Sequence, residues 1–301
     1  MRTAFITQLI EEAKTNEKIF LLVGDLGYSV VEPFADLFPD RFLNVGIAEQ
    51  NMTGLAAGLA KEGYNVFTYS IGNFPTLRCL EQIRYDICYH NLSVKIVSVG
   101  GGYAYGPLGA SHHTTEDLAV MRVLPNMNVC APADPIEAKE ATSLFSKLLQ
   151  PGYLRLGKAG ENILHSHSTI KDITKVLEIR SGQNTAILST GGILSEAKNF
   201  IALNKLNWGL FSIPFIKPID KDGIEFICKK YNTIFTIEEH QLSAGFGSAI
   251  LESVNDLINE KRLNTFPNII RKGINDMFIS YAGTQDFLRE KAGLNFFTTH
   301  E

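Results

Sequence analysis

Glu49 and Gln50 follow an apolar run, FLNV (42 to 45), and a Gly46 turn, so the spacing puts an acid and an amide at the opening of a helix. A carboxylate in a first helical turn can complement the helix dipole or act as a capping residue, and spacing alone favours that use. The same carboxylate in a poorly solvated pocket would have a raised pKa and could share a proton with a weakly basic ring nitrogen. Two adjacent histidines, His112 and His113, lie in a glycine-rich stretch. They could be exposed loop residues or, titrating near neutral pH, move protons. Phe74 and Tyr69 are aromatic rings able to lie against a flat ligand, although a lone Phe before a helix is more often core. Arg2 and Lys158 are single cations whose ordinary place is a solvated surface and whose alternative use is an anion contact.

The elements that must position these groups alternate between strand and helix. IFLLV (19 to 23), FLNV (42 to 45), NVFTY (65 to 69), VKIVSV (94 to 99) and NVCA (128 to 131) read as strands. Helices are expected from Ala48 to Lys61, Leu77 to Tyr89 and Pro135 to Leu149. A polar stretch from His165 to Asp172 interrupts the pattern, which resumes near Val176 with TAILST (185 to 190), WGLFSI (208 to 213), TIFTIEE (233 to 239) and NIIRKG (268 to 273). Helices are expected after Gly192, after Asp220 and from Ser243 to Asn259. The alternation predicts two three-layer α/β domains with mainly parallel sheets. They are placed at 1–165 and 179–301, with a linker at 166–178. Within the helix that Glu49 opens, Gly54, Ala56, Ala57, Gly58 and Ala60 are small enough to let another backbone come close.

Composition narrows the function. The chain has 301 residues, 45% hydrophobic and 20% charged, enough for two ordinary cores. With 28 Lys+Arg against 32 Asp+Glu and no basic run, a nucleic-acid partner is not expected. The segment MRTAFITQLIEEAK lacks a secretory pattern and no apolar run reaches membrane-spanning length, so a cytoplasmic protein is expected. Cys79, Cys88, Cys130 and Cys228 are far apart and read as reduced core thiols.

VGIAEQN followed by GLAAGLA (45 to 60) resembles the pyrimidine-domain motif of the transketolase family and of deoxyxylulose-phosphate synthase. Further matches follow in order: YSIGNFPTLRCLEQIRYD (69 to 86), the loop, helix and strand of 100 to 138, and YLRLGKAGEN (153 to 162). TAILSTGGILSEA, IPFIKPID and TIEEHQLSAGFGSAI are similar to the family's C-terminal domain. The resemblance implies a thiamine diphosphate enzyme in which Glu49 bonds the N1′ nitrogen of the cofactor's aminopyrimidine and favours its imino tautomer. It implies Phe74, with Tyr69 next, as the ring lying against that pyrimidine, and Gln50 beside it. His112 takes the place of the histidine facing substrate, His113 is left open, and Lys158 and Arg2 take the places of basic residues that approach substrate phosphates. Leu108 stands where the family has an aspartate that contacts a donor-sugar hydroxyl. Glu238, Glu239 and His240 fall in a domain that mainly stabilises the dimer and are kept out of the catalytic set.

No Gly-Asp-Gly occurs, although the family's diphosphate-binding half holds Mg²⁺ against the cofactor phosphates through that motif and a later Asn. The nearest sequence, VGDLGYS (23 to 29), makes Asp25 a loop or interface residue. The resemblance, which runs from Arg2 to about Leu294, therefore implies a split enzyme. A separate N-terminal subunit would hold the diphosphate and Mg²⁺, and an α₂β₂ assembly containing a homodimer of this chain is the default. The reaction implied is transfer of a two-carbon ketol unit from a ketose to an aldehyde. The alternatives are the β subunit of a 2-oxoacid dehydrogenase and a non-catalytic subunit that kept the fold.

Overall fold

Burial along β3 (Asn65–Ile71), β4 (Val94–Val99) and β6 (Gly152–Leu156) is nearly unbroken, as strands covered on both faces require. In chain order the first half of the computed structural model runs α1 (Arg2–Thr15), β1 (Ile19–Val23), α2 (Glu32–Leu37), β2 (Phe42–Asn44), α3 (Glu49–Lys61), β3, α4 (Leu80–Gln82), β4, α5 (Asp117–Val123), β5 (Asn128–Cys130), α6 (Pro135–Lys147) and β6. The second half follows with β7 (Leu177–Arg180), β8 (Thr185–Ser189), α7 (Leu194–Leu203), β9 (Gly209–Ser212), β10 (Phe215–Lys217), α8 (Lys221–Lys230), β11 (Thr233–Gln241), α9 (Phe246–Asn259), β12 (Asn268–Ile274) and α10 (Gln285–Lys291). The structure describes residues 1–165 and 170–294, so residues 166–169 of the expected linker and 295–301 of the expected second domain lie outside it.

The first sheet has the order β10-β5-β6-β4-β3-β1-β2, and the second β12-β11-β8-β9-β7. Six strands of the first sheet are parallel, while its edge strand β10 comes from the second half of the chain and pairs antiparallel with β5. The two halves are thus joined by a shared sheet as well as by the connection after β6. Nothing in the run IPFIKP marks it as an edge of the other domain's sheet.

Strand alternation sorts the first core into two faces. Phe67 and Tyr69 of β3 point to the side covered by α1 and α6, where Phe5, Leu9 and Phe145 pack. Val66 points to the other side, with Met52, Ala56, Ile83 and Ile87. Helix α6 starts where its sequence says it should. Asp134 accepts a hydrogen bond from the Glu137 N–H at 2.8 Å and Pro135 occupies the first turn, where its missing N–H is not needed. The segment expected as one helix over Leu77 to Tyr89 changes pitch along its length: a 3₁₀ turn (Leu77–Cys79), α4, then π-helical turns (Ile83–Tyr89). Ile83, Ile87 and Cys88 stay in the core while Tyr85 and Tyr89 stack on each other at the surface.

Among the described residues no helix is long and apolar enough to cross a membrane.

Candidate active site

The carboxyl ends of β1, β2, β3, β4 and β6 lie at one edge of the first sheet, and the loops leaving them carry Asp25, Glu49, Phe74, His112 and Lys158. Ligands of open α/β sheets bind at this edge.

Glu49 is the first residue of α3 and is only 2% exposed. Its carboxylate does not close the helix end. Oε2 accepts from Arg78 Nη1 at 3.0 Å, and Ser70 Oγ on β3 approaches Oε1 at 3.5 Å. Gly24 leaves room beside it, since a Cβ there would lie 3.6 Å from Glu49 Cγ and 3.4 Å from Ser70 Oγ. A buried acid bonded to one arginine and one hydroxyl, with no backbone donor on its carboxylate, is poorly explained as a cap.

Phe74, half-buried, is brought to this acid through Arg78, whose guanidinium lies 4.6 Å over the Phe74 ring centre. On its other side Phe74 meets His112 edge-on, with ring centres 5.2 Å apart. The turn that presents Phe74 depends on Gly72, whose φ is +47° and where a Cβ would fall 2.1 Å from Thr114 Oγ1. Asn73 clamps the same turn to the histidine loop by donating to the His113 carbonyl at 2.6 Å. Gln50 is exposed and braces the Arg78 backbone, its Nε2 donating to the Arg78 carbonyl at 3.1 Å.

His112 and His113 part company. His112 is half-buried, and its Nδ1 pairs with Ser111 Oγ at 3.0 Å. His113 is buried edge-on against Tyr103 at 5.0 Å, and burial lowers its pKa, which favours the neutral ring. Tyr69 lies on the opposite face of β3 from Ser70, stacked on Phe5 at 5.8 Å. Burial holds its phenol far above the ordinary range, and the nearby Arg2 charge offsets only part of that. The structure therefore keeps Tyr69 away from the Glu49 group, because a one-residue step along a strand reverses the face. Leu108, in a 3₁₀ turn, is exposed and offers no acceptor where a carboxylate was the alternative.

Arg2 and Lys158 are adjacent: Arg2 Nε donates to the Lys158 carbonyl at 2.8 Å, and the Lys158 ammonium sits 5.3 Å over the Tyr105 ring. Lys158 borders a polar cavity of about 230 Å³ between the two domains. Gly101, Arg155, Thr190, Glu239 and Arg289 also line it, whereas Glu49, Phe74 and His112 do not.

Sequence reasoning missed Arg78 and the interdomain ion network. Arg78 stands inside the FPTLRC run, four residues after Phe74, and that spacing was the available signal. The network has no local signal. Asp117 accepts two bonds from Arg155, at 2.8 and 3.2 Å, and another from the Tyr153 hydroxyl. Arg155 also donates to the carbonyls of Thr114 and Glu239, at 2.7 and 3.1 Å. The Glu239 carboxylate takes the Tyr103 N–H, Gln285 Nε2 and the Arg289 Nε and Nη2 donors. Glu238, beside it, accepts the N–H groups of Phe246 and Gly247 that open α9, and burial pushes its pKa up to about 7. His240 is fully buried and held by α5 and its own strand, consistent with a structural place.

The donor set suits one end of thiamine diphosphate. A buried carboxylate and an aromatic face are already bridged here by a flat N–H donor, the Arg78 guanidinium, and these are the contacts an aminopyrimidine makes. Among the described residues no group of three or more His, Cys, Asp or Glu stands close enough to hold a metal ion.

Residues 1–159 match the transketolase pyrimidine-binding domain and residues 174–283 the transketolase C-terminal domain. A putative transketolase C-terminal section of Methanocaldococcus jannaschii is 35% identical over 302 residues, spanning 98% of this chain and 92% of that protein. One of the subunits of an apulose-4-phosphate transketolase from Phocaeicola vulgatus is 31% identical, spanning 93% of this chain and 92% of that protein. A solved structure described as a split gene transketolase, an inactive β4 tetramer, superposes with a TM-score of 0.85 at 33% identity, covering 97% of this chain and 93% of the other. With both domains matched in order and relatives of its own length, the chain belongs to the transketolase family.

Proposed function

We propose that this chain is the pyrimidine-binding subunit of a two-subunit thiamine diphosphate transketolase. It would transfer a two-carbon ketol unit from a ketose to an aldehyde, with a separate N-terminal subunit holding the diphosphate and Mg²⁺. The observation that carries this reading is Glu49, a buried carboxylate grouped with Phe74 and His112 at the carboxyl edge of the sheet. When bound, the cofactor supplies the carbon nucleophile and stores the transferred fragment's electrons. The chain's own residues do the rest. Glu49 holds the proton shared with N1′, Phe74 offers a face to the pyrimidine, and His112, its Nδ1 tied to Ser111, turns Nε2 toward the substrate hydroxyls. Lys158 and Arg2, side by side, would anchor an anionic tail, and Leu108 favours a donor lacking the hydroxyl that an aspartate would bind. The name of the Phocaeicola relative, an apulose-4-phosphate transketolase subunit, supports a phosphorylated sugar as substrate.

Two features support a shared site. Ile47, two residues before Glu49, is 79% exposed. Gly54 and Gly58 face outward with nothing within 4 Å of where a Cβ would stand, while Ala56, Ala57 and Ala60 pack inward. The small residues of α3 thus serve this chain's own sheet on one side and leave the other ready for a partner's close approach. The relatives being transketolases supports this reading over a 2-oxoacid dehydrogenase subunit. Calorimetric titration of thiamine diphosphate with Mg²⁺ should give strong heats only when the N-terminal subunit is present. Tight binding by this chain alone would overturn the division of labour.

A further inference from the structure

Arg78 touches both groups that the proposed function assigns to the pyrimidine ring, and the role given to it here rests on that reading. Its guanidinium covers the Phe74 ring at 4.6 Å and donates to Glu49 Oε2 at 3.0 Å. A guanidinium is flat, stacks on aromatic faces and presents its N–H donors in its own plane. A pyrimidine ring lying on the same face of Phe74 and bonded to the same carboxylate would need that volume and that acceptor. Arg78 is also the group able to leave: its side chain is 48% exposed while Glu49 is 2% exposed, and Gln50 holds the Arg78 backbone through its carbonyl at 3.1 Å.

We propose that Arg78 is an internal placeholder for the cofactor's aminopyrimidine. In the chain without cofactor it stacks on Phe74 and partners Glu49, so that the acid is never left buried without a counter-charge, a costly state. On cofactor binding the side chain swings outward into solvent, and the ring takes its two contacts. Cofactor affinity is therefore set by competition, and the chain keeps its own half-site closed until the ring is delivered with its phosphates anchored elsewhere.

The test uses the reconstituted two-subunit enzyme, titrated with thiamine diphosphate and Mg²⁺ in a calorimeter. Arg78→Met, which keeps length but removes the planar cation, should tighten cofactor binding by about two- to fivefold, the scale of one ion pair open to solvent on one side. Arg78→Lys, which keeps the charge without the flat fork, should tighten it by less and guards against loss of folding in the Met variant. Unchanged or weaker binding in both variants overturns the placeholder. Turnover of Glu49→Gln, measured on the same reconstituted enzyme, separates the two ideas. If the substitution abolishes turnover while Arg78→Met binds cofactor like the wild type, only the placeholder falls; if the variant turns over normally, the role of Glu49 falls and the competition for its carboxylate with it.

Discussion

Two groups of charged residues sit at the carboxyl edge of the first sheet, and they are built differently. Around Glu49 there is one acid, one half-exposed arginine and an apolar rim open to solvent. Between the domains, Asp117, Arg155, Glu239 and Arg289 are all buried or nearly so, and each acid meets several donors. The second group behaves as structure. Once two domains bury charge between them, every lone pair must be answered, because an unanswered one costs several kcal/mol. The first group is incomplete by the same standard. Glu49 has one charged partner that can move away, which suits an acid whose working partner arrives from outside.

That contrast can be broken most directly at its two centres. Glu49→Gln should lower turnover of the proposed two-subunit enzyme by roughly 10³-fold, the scale of a lost proton-transfer group, while leaving its urea midpoint nearly unchanged. A variant that keeps its rate would make Glu49 a bystander. Arg155→Met should do the reverse. Loss of its donors leaves the Asp117 charge with only the Tyr153 hydroxyl and strips the Glu239 carbonyl of its Arg155 donor, and unfolding by urea should report destabilisation of about 3–5 kcal/mol. If the fold tolerates it with less than ~1 kcal/mol lost, the network is not what ties the domains together.

Glu238 sharpens the comparison through pH. Its folded pKa is raised from the ordinary 4.5 to about 7 by burial, so between those values the folded chain binds more protons than the unfolded one. Stability should therefore fall as pH rises from about 4.5 to 7 and level off above, by something on the order of 3 kcal/mol. Urea midpoints across that range should slope downward for the wild type and flatten for Glu238→Gln. An identical slope in the variant would assign it to other groups. The smallest effect separates two rings. Phe74→Leu should weaken cofactor binding to the complex by about tenfold, and Tyr69→Phe, on the far face of β3, should leave it unchanged. The opposite ranking would mean that the sheet presents the other face to the ligand.

Much of this was legible in the chain itself, for local physical reasons. Strands such as IFLLV and VKIVSV are apolar runs too short for helices, and they appear as β1 and β4 with the expected bounds. The helix expected from Pro135 begins there, and Asp134 caps it. The motif around Glu49 carried the family, and both domains match it in order. Other features were not legible because they depend on contacts distant in sequence. No strand is expected at IPFIKP, yet β10 forms there and closes the edge of the other half's sheet. His112 and His113 are adjacent and alike in type, but one faces Phe74 and the other packs on Tyr103.

By itself, then, the sequence determined the layered class, most of the core strands and several of the residues able to do chemistry, Glu49 among them, since periodicity, capping and turn preferences act within a few residues. Only the tertiary structure decided which of those residues meet. Whether Glu49 is a helix cap or a buried acid paired with Arg78 is set by where β3 and the turn after it fall against α3, and no window of sequence contains that geometry.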